Sequence, residues 1–212
     1  MNHAMFDIDG TLVQSESFED EYYKLSIKEV TGLEINDDWS TYPHVTDRGI
    51  LMTFIERQAP DLELSSLETQ VKTRFKNHIG NHLASSGIQV IEAAKELIAR
   101  LRADKNYTVS LATGGWKETA LLKLNQAGFD TTDLILSSSN DHYSRTEIMK
   151  LSAKKVGADI DMNFTYFGDA EWDVRACREL NVNLVLVGDQ TRHFQSIPNF
   201  KNQDRIYDFI TT

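Results

Sequence analysis

The chain has 212 residues, 41% of them apolar and 25% charged, with a formal net charge of -10. That length holds a sizeable core, as one domain or as one domain with a smaller insert. The acid excess argues against nucleic acid or an anionic membrane as partner, since both attract basic surfaces, and an anionic small molecule would need a local cation to draw it in.

One cysteine, Cys177, excludes an intrachain disulfide and fits a reducing compartment. There is no long apolar run of membrane-span length, and the N-terminus lacks the basic and apolar regions of a signal peptide. The expectation is a cytoplasmic protein. The oligomeric state is left open, and a monomer is compatible with the sequence.

The chain opens on Met5-Phe6-Asp7-Ile8-Asp9-Gly10-Thr11-Leu12. The apolar start predicts a strand, in which alternate side chains share a face, so Asp7 and Asp9 point the same way. Asp9-Gly10 reads as the turn that ends it. Two adjacent carboxylates repel each other, and a site that keeps both ionised needs a cation. A hard divalent ion with oxygen ligands, such as Mg²⁺, suits it.

Glu16 to Thr31 then reads as a helix with Phe18, Tyr22, Leu25 and Val30 as its apolar stripe and Gly32 as its stop. A polar segment through Trp39-Ser40-Thr41-Tyr42-Pro43-His44 leads to a second helix carrying Ile50, Leu51, Phe54 and Ile55. A third spans about Ser65 to Leu83, opened by the capping-box-like Ser65-Ser66-Leu67-Glu68. From about Val90 the pattern changes. A helix to Leu101 is followed by strand-like Tyr107–Ala112, a helix over Lys117–Gln126 and a strand at Leu134–Leu136. A helix over Thr146–Val156, a strand at Phe164–Phe167, a helix over Trp172–Leu180 and the strand Val182–Val187 complete the alternation. Strands alternating with helices predict a parallel sheet covered on both faces. The simplest architecture is a doubly wound α/β core, residues 1–14 and 86–212, with an all-helical insert at 15–85. The tail from Asp189 closes over the sheet edge.

Three further stations fall at predicted strand ends, where ligands of such sheets sit. Thr113-Gly114-Gly115 can offer a hydroxyl and freed backbone amides to phosphate oxygens at a helix start. Arg145 opens a helix and supplies a cation. In Gly168-Asp169-Ala170-Glu171-Trp172-Asp173 the two aspartates are four apart, on one side of a helical turn. Taken singly, each station also fits a capped or solvated strand–turn–helix corner.

Together they resemble, in order and over essentially the whole chain, the four motifs of the haloacid dehalogenase-type superfamily, beginning with Asp-x-Asp-Gly-Thr at Asp7-Ile8-Asp9-Gly10-Thr11. The resemblance implies a Rossmann-like core and a helical cap, with phosphoryl transfer through a covalent aspartyl phosphate. Asp7 would be the nucleophile and Asp9 the general acid/base. Thr113, Gly114 and Arg145 would bind phosphate. Mg²⁺ would be held by Asp7, the backbone carbonyl of Asp9, and Asp169, with Asp173 binding it or orienting the basic residue. The family usually places Lys where this chain has Arg145. Dehalogenating members lack the second acid, so Asp9 favours phosphate chemistry. The implied partner is a small phosphorylated metabolite, with a phosphoglycolate phosphatase-like phosphomonoesterase leading. A sugar phosphomutase of the β-phosphoglucomutase type and a catalytically idle binding protein are the alternatives. Candidate substrate contacts lie around Trp39-Ser40-Thr41-Tyr42-Pro43-His44 in the insert, with Thr46, Asp47 and Arg48 at the next helix start, and Trp116 and Lys117 beside the phosphate loop. His78 and His82, four apart, are read as surface helix positions.

Overall fold

The computed structural model describes residues 1–158 and 164–211. In chain order the elements are β1 (Asn2–Phe6), β2 (Val13–Gln14), α1 (Glu16–Thr31), a 3-10 turn (Trp39–Thr41), α2 (Asp47–Gln58) and α3 (Leu64–Ser86). They continue as β3 (Gln89–Val90), α4 (Ala94–Ala103), β4 (Tyr107–Ala112), α5 (Lys117–Gln126) and β5 (Ile135–Ser137). Last come α6 (Arg145–Lys155), β6 (Phe164–Gly168), α7 (Glu171–Leu180), β7 (Asn183–Val187), β8 (Ser196–Ile197) and α8 (Gln203–Thr211). Among these helices none is long and apolar enough to cross a membrane.

Six strands form one parallel sheet in the order β5-β4-β1-β6-β7-β8. It is a doubly wound sheet whose order reverses at β1, and the crevice for a ligand lies at the carboxyl ends of the strands on either side of that reversal. Strand alternation sorts the core. Ala4, Phe6 and Phe167 pack with α4, α5 and α8 on one face. Met5 and Tyr166 pack with Ile148 and Met149 of α6 and Ala176 and Cys177 of α7 on the other. The tail adds β8 beside β7 at the sheet edge and lays Ile206 and Ile210 of α8 on the Ala4–Phe6 face.

The insert has its own apolar cluster. Leu67, Val71, Phe75, Ile79 and Leu83, each four apart, form a continuous stripe on α3 that meets Tyr23, Ile27, Leu51 and Phe54. Three local expectations change. The buried face of α1 runs through Tyr23, Ser26 and Ile27, while Leu25 is 39% exposed. Glu63, not Ser65, caps α3, its carboxylate accepting the amides of Ser65 and Ser66. The helix expected from Val90 begins at Ala94, because Gln89 and Val90 pair antiparallel with Gln14 and Val13, a partner remote in sequence. Gly32 ends α1 with φ +73°, as its sequence position predicts.

Candidate active site

Strand β1 stops at Phe6, and Asp7, Ile8 and Asp9 follow as the chain turns. The Asp7 amide still donates to Phe167 O at 2.8 Å, which fixes its position between β1 and β6. Gly10 takes φ +71°, and a Cβ there would lie 2.1 Å from Asp169 Oδ2. This turn therefore requires glycine both for its backbone and for the approach of Asp169.

The neighbouring strands deliver the other stations. Thr113, just past β4, is 1% exposed, and its hydroxyl accepts the Gly115 amide at 3.1 Å. Gly114 leaves room for Arg145, whose Nη2 would sit 2.6 Å from a Cβ on that glycine. Arg145 Nη1 donates to Asp173 Oδ1 at 2.9 Å, Asp7 Oδ2 at 3.2 Å and the Tyr166 hydroxyl at 3.2 Å. Asp173 Oδ2 accepts the amides of Asp169 and Ala170, both at 3.1 Å. Both Asp173 oxygens are thus engaged in positioning Arg145 and the turn before α7. Asp169 accepts only the Thr11 hydroxyl, at 3.3 Å.

The carboxylates of Asp7, Asp169 and Asp173 offer oxygens within 4.8 Å of one another. Asp7 Oδ1 is buried with no hydrogen-bond partner. Burial first, and the Asp173 charge second, push Asp169 up to about 9. Burial likewise raises Asp7 to about 7 against the pull of Arg145. Such a cluster is short of positive charge, and its hard oxygen donors fit Mg²⁺. Asp7 and Asp169 carry the available oxygens. The Asp9 side chain turns elsewhere and belongs to no such cluster.

One cavity of about 140 Å³ joins these parts to the insert. Its lining includes Asp7, Asp9, Thr113, Gly114, Arg145 and Asp169 from the core, and Glu19, Tyr23, Trp39, Thr46, Asp47 and Ile50 from the insert. Of the expected substrate contacts Trp39, Thr46 and Asp47 line it, whereas Tyr42, His44, Arg48, Trp116 and Lys117 do not. Thr46 also caps α2, accepting the Gly49 amide at 3.0 Å. Tyr42 is 2% exposed within the apolar cluster of the insert, its hydroxyl on Asn36 O. His44 packs edge-on against Tyr143, and Arg48 pairs with Glu68. Trp116 is fully buried among Tyr23 and Phe75, with Nε1 on Glu68 at 3.1 Å. Lys117 is exposed, its amide held by Asn140. His78 and His82 hydrogen-bond Glu29 and Tyr22 in turn, not each other.

Lys123 and the acids Glu19 and Asp20 of α1 carried no expectation. Lys123 of α5 is fully buried and ion-paired with both Asp9 and Glu19. Burial works to raise the Asp9 carboxyl, but the Lys123 charge together with hydrogen bonds from Glu19, Lys123 and Ser15 outweighs it and holds Asp9 below the ordinary range. Burial pushes Asp47 up to about 7, although its Oδ2 accepts the Trp116 amide at 2.7 Å. The signal for Lys123 was present in the sequence: it stands three residues from Ala120 and one from Leu124, on the buried stripe of α5.

A family model of the haloacid dehalogenase-like hydrolases matches residues 4–187. The chain is similar in structure to a hydrolase from Pseudomonas syringae, with TM-score 0.76 and 19% identity over 97% of this chain and 99% of that one. It is similar to a β-phosphoglucomutase from Clostridium difficile, with TM-score 0.75 and 14% identity over 100% and 97%. CbbY from Rhodobacter sphaeroides, in complex with phosphate, aligns with TM-score 0.73 and 15% identity over 95% and 96%. At these identities the likeness concerns the fold. No curated protein matches the chain by sequence. With the family's motifs gathered at the strand ends of its fold, and with the match spanning most of the sequence, the chain belongs to the haloacid dehalogenase-like hydrolases.

Proposed function

We propose that the protein is a Mg²⁺-dependent phosphomonoesterase that acts on a small phosphorylated metabolite through an aspartyl-phosphate intermediate. The observation that carries this reading is the bare Oδ1 of Asp7. It is a buried carboxylate oxygen without a hydrogen-bond partner among the described residues, on a side chain that lines the same cavity as Thr113, Gly114 and Arg145.

In this reading Asp7 attacks phosphorus, and Asp9 protonates the leaving alkoxide and then takes a proton from the hydrolytic water. The Thr113 hydroxyl, the Gly114 amide and Arg145 hold the phosphoryl oxygens as charge develops on them. Asp173 keeps Arg145 in place. Mg²⁺, held by Asp7, Asp169 and the carbonyl of Asp9, would offset the repulsion between the anionic nucleophile and the anionic phosphate. Residues 15–85 act as a cap domain over a core of 1–14 and 86–212, shielding the reaction from water.

The cavity also bears on the substrate. Arg145 is the one cation among its described lining residues, and it already serves Asp7 and Asp173. A second phosphate or a carboxylate on the substrate would meet Glu19, Asp20 and Asp47 instead. An ester whose organic half is uncharged or positive fits better. A phosphomutase, which must hold a doubly phosphorylated species, is disfavoured on the same ground. The test is Mg²⁺-dependent phosphate release from p-nitrophenyl phosphate, followed by a panel of phosphorylated metabolites. Absence of release from all of them overturns the reading.

A further inference from the structure

Asp9 is anchored by one oxygen only. Its Oδ1 accepts the hydroxyl of Ser15 and the ammonium of Lys123. Its Oδ2 faces the phosphate loop, 3.7 Å from where a Cβ on Gly115 would stand. Lys123 has no solvent exposure, and its other contact is Glu19 Oε1 at 2.5 Å, on the first helix of the insert. Placing a lysine wholly out of water is costly unless it is paired, and here both partners belong to the site.

We propose that Lys123 is a positioning residue for proton transfer at Asp9, fixing Oδ1 so that Oδ2 alone faces the leaving oxygen. The inference rests on the general acid role given to Asp9 above. In the protonated form that the hydrolytic half of each turnover leaves behind, Oδ2 gives its proton to the leaving oxygen as the ester O–P bond breaks, and the O–H electron pair stays on the carboxylate. That new charge forms beside the Lys123 ammonium, which stays protonated throughout. In the second half the same Oδ2 takes the proton of the attacking water, which frees Asp7 and releases phosphate. The Glu19 contact makes this arrangement depend on α1, so proton transfer is assembled only with the insert in place.

Leaving-group dependence tests the proposal. A good leaving group needs little protonation, whereas a poor one depends on the acid, whose contribution is about 10²–10⁴-fold. Lys123→Met alone leaves Asp9 and Glu19 facing each other unpaired, so the informative variant is Lys123→Met/Glu19→Gln, which removes one charge of each sign. Its kcat/KM should fall at least about tenfold more on phenyl phosphate than on p-nitrophenyl phosphate. Lys123→Arg, which keeps the charge, should restore most of that difference. Equal losses on the two esters, or no loss, overturn the role of Lys123 while the phosphomonoesterase reading stands. If the native protein hydrolyses neither ester with Mg²⁺, that reading falls and this inference falls with it.

Discussion

Arg145 holds one oxygen of Asp7, at 3.2 Å, and leaves the other bare. In the proposed mechanism the held oxygen fixes the carboxylate and the bare one attacks phosphorus. Asp7→Asn keeps the shape and the Arg145 contact but removes the nucleophile. Phosphate release should drop to background while circular dichroism and thermal unfolding show a folded protein. Retained activity would remove Asp7 from the chemistry.

Arg145 meets all three acceptors through Nη1 and lies against Gly114 with Nη2, so a lysine ammonium could take over the first contacts but not fill the Gly114 side. Arg145→Lys should keep the fold and lose about 10- to 100-fold in kcat/KM, since a charge remains near the phosphoryl group. Arg145→Ala leaves Asp7 and Asp173 buried without their cation, and denaturant unfolding should show a loss of about 3–5 kcal/mol.

The crowding of Asp7, Asp169 and Asp173 predicts stabilisation by a divalent cation. Mg²⁺ at about 100 times its Kd should add about 2.7 kcal/mol to the unfolding free energy, and chelation should abolish phosphate release. Asp169→Asn should lose most of the Mg²⁺-dependent rise in Tm. An identical rise in that variant would place the ion elsewhere.

Trp116 belongs to the phosphate-loop side of the fold but is buried in the apolar cluster of the insert. Trp116→Ala should cost about 3–5 kcal/mol. It should also raise KM, because the indole packs on Tyr23, which lines the cavity, and its Nε1 donates to Glu68. Trp116→Phe should recover most of the stability and less of the KM, readable by unfolding and steady-state kinetics on the same samples.

His3 lies between the hydroxyls of Thr108 and Ser110 under the sheet, and burial lowers its pKa from 6.5 to about 4. Between those values the unfolded chain binds a proton that the folded protein refuses. Stability from this group is therefore complete above pH 6.5 and declines as pH falls toward 4, by at most about 3 kcal/mol. A His3→Gln variant lacks this titration. The stability difference between native and variant protein should shrink as pH drops from 7 to 4. A constant difference would show that His3 does not titrate in that range.

What could be read in the sequence was whatever depends on near neighbours. Asp7-Ile8-Asp9-Gly10, Thr113-Gly114 and Gly168-Asp169 each combine an apolar strand with a turn, and the alternation of elements then places all three at one end of a parallel sheet. The order β4-β1-β6 sets them side by side. What escaped depends on pairing over distance. Val90 looked helical because its ladder partner, Val13, is remote in the chain. Lys123 drew no expectation, since only the fold brings Asp9 and Glu19 to its ammonium. Tyr42, Arg48 and Trp116 were polar or aromatic residues near a loop, and sequence alone does not tell a side chain that faces a cavity from one that plugs a core. Asp47, expected as a substrate contact, does reach the cavity, together with Glu19 and Asp20 of the insert.

The short ribbon of β2 and β3 brings Gln14 and Gln89 to the same rung. Everything between them leaves and rejoins the sheet through a single doorway. Such a segment can be cut out and bridged by a tight turn without drawing any strand of the main sheet aside. A replacement would need ends that meet at the same spacing, and it would also have to give Lys123 a partner and cover Trp116, as Glu19 and Phe75 now do.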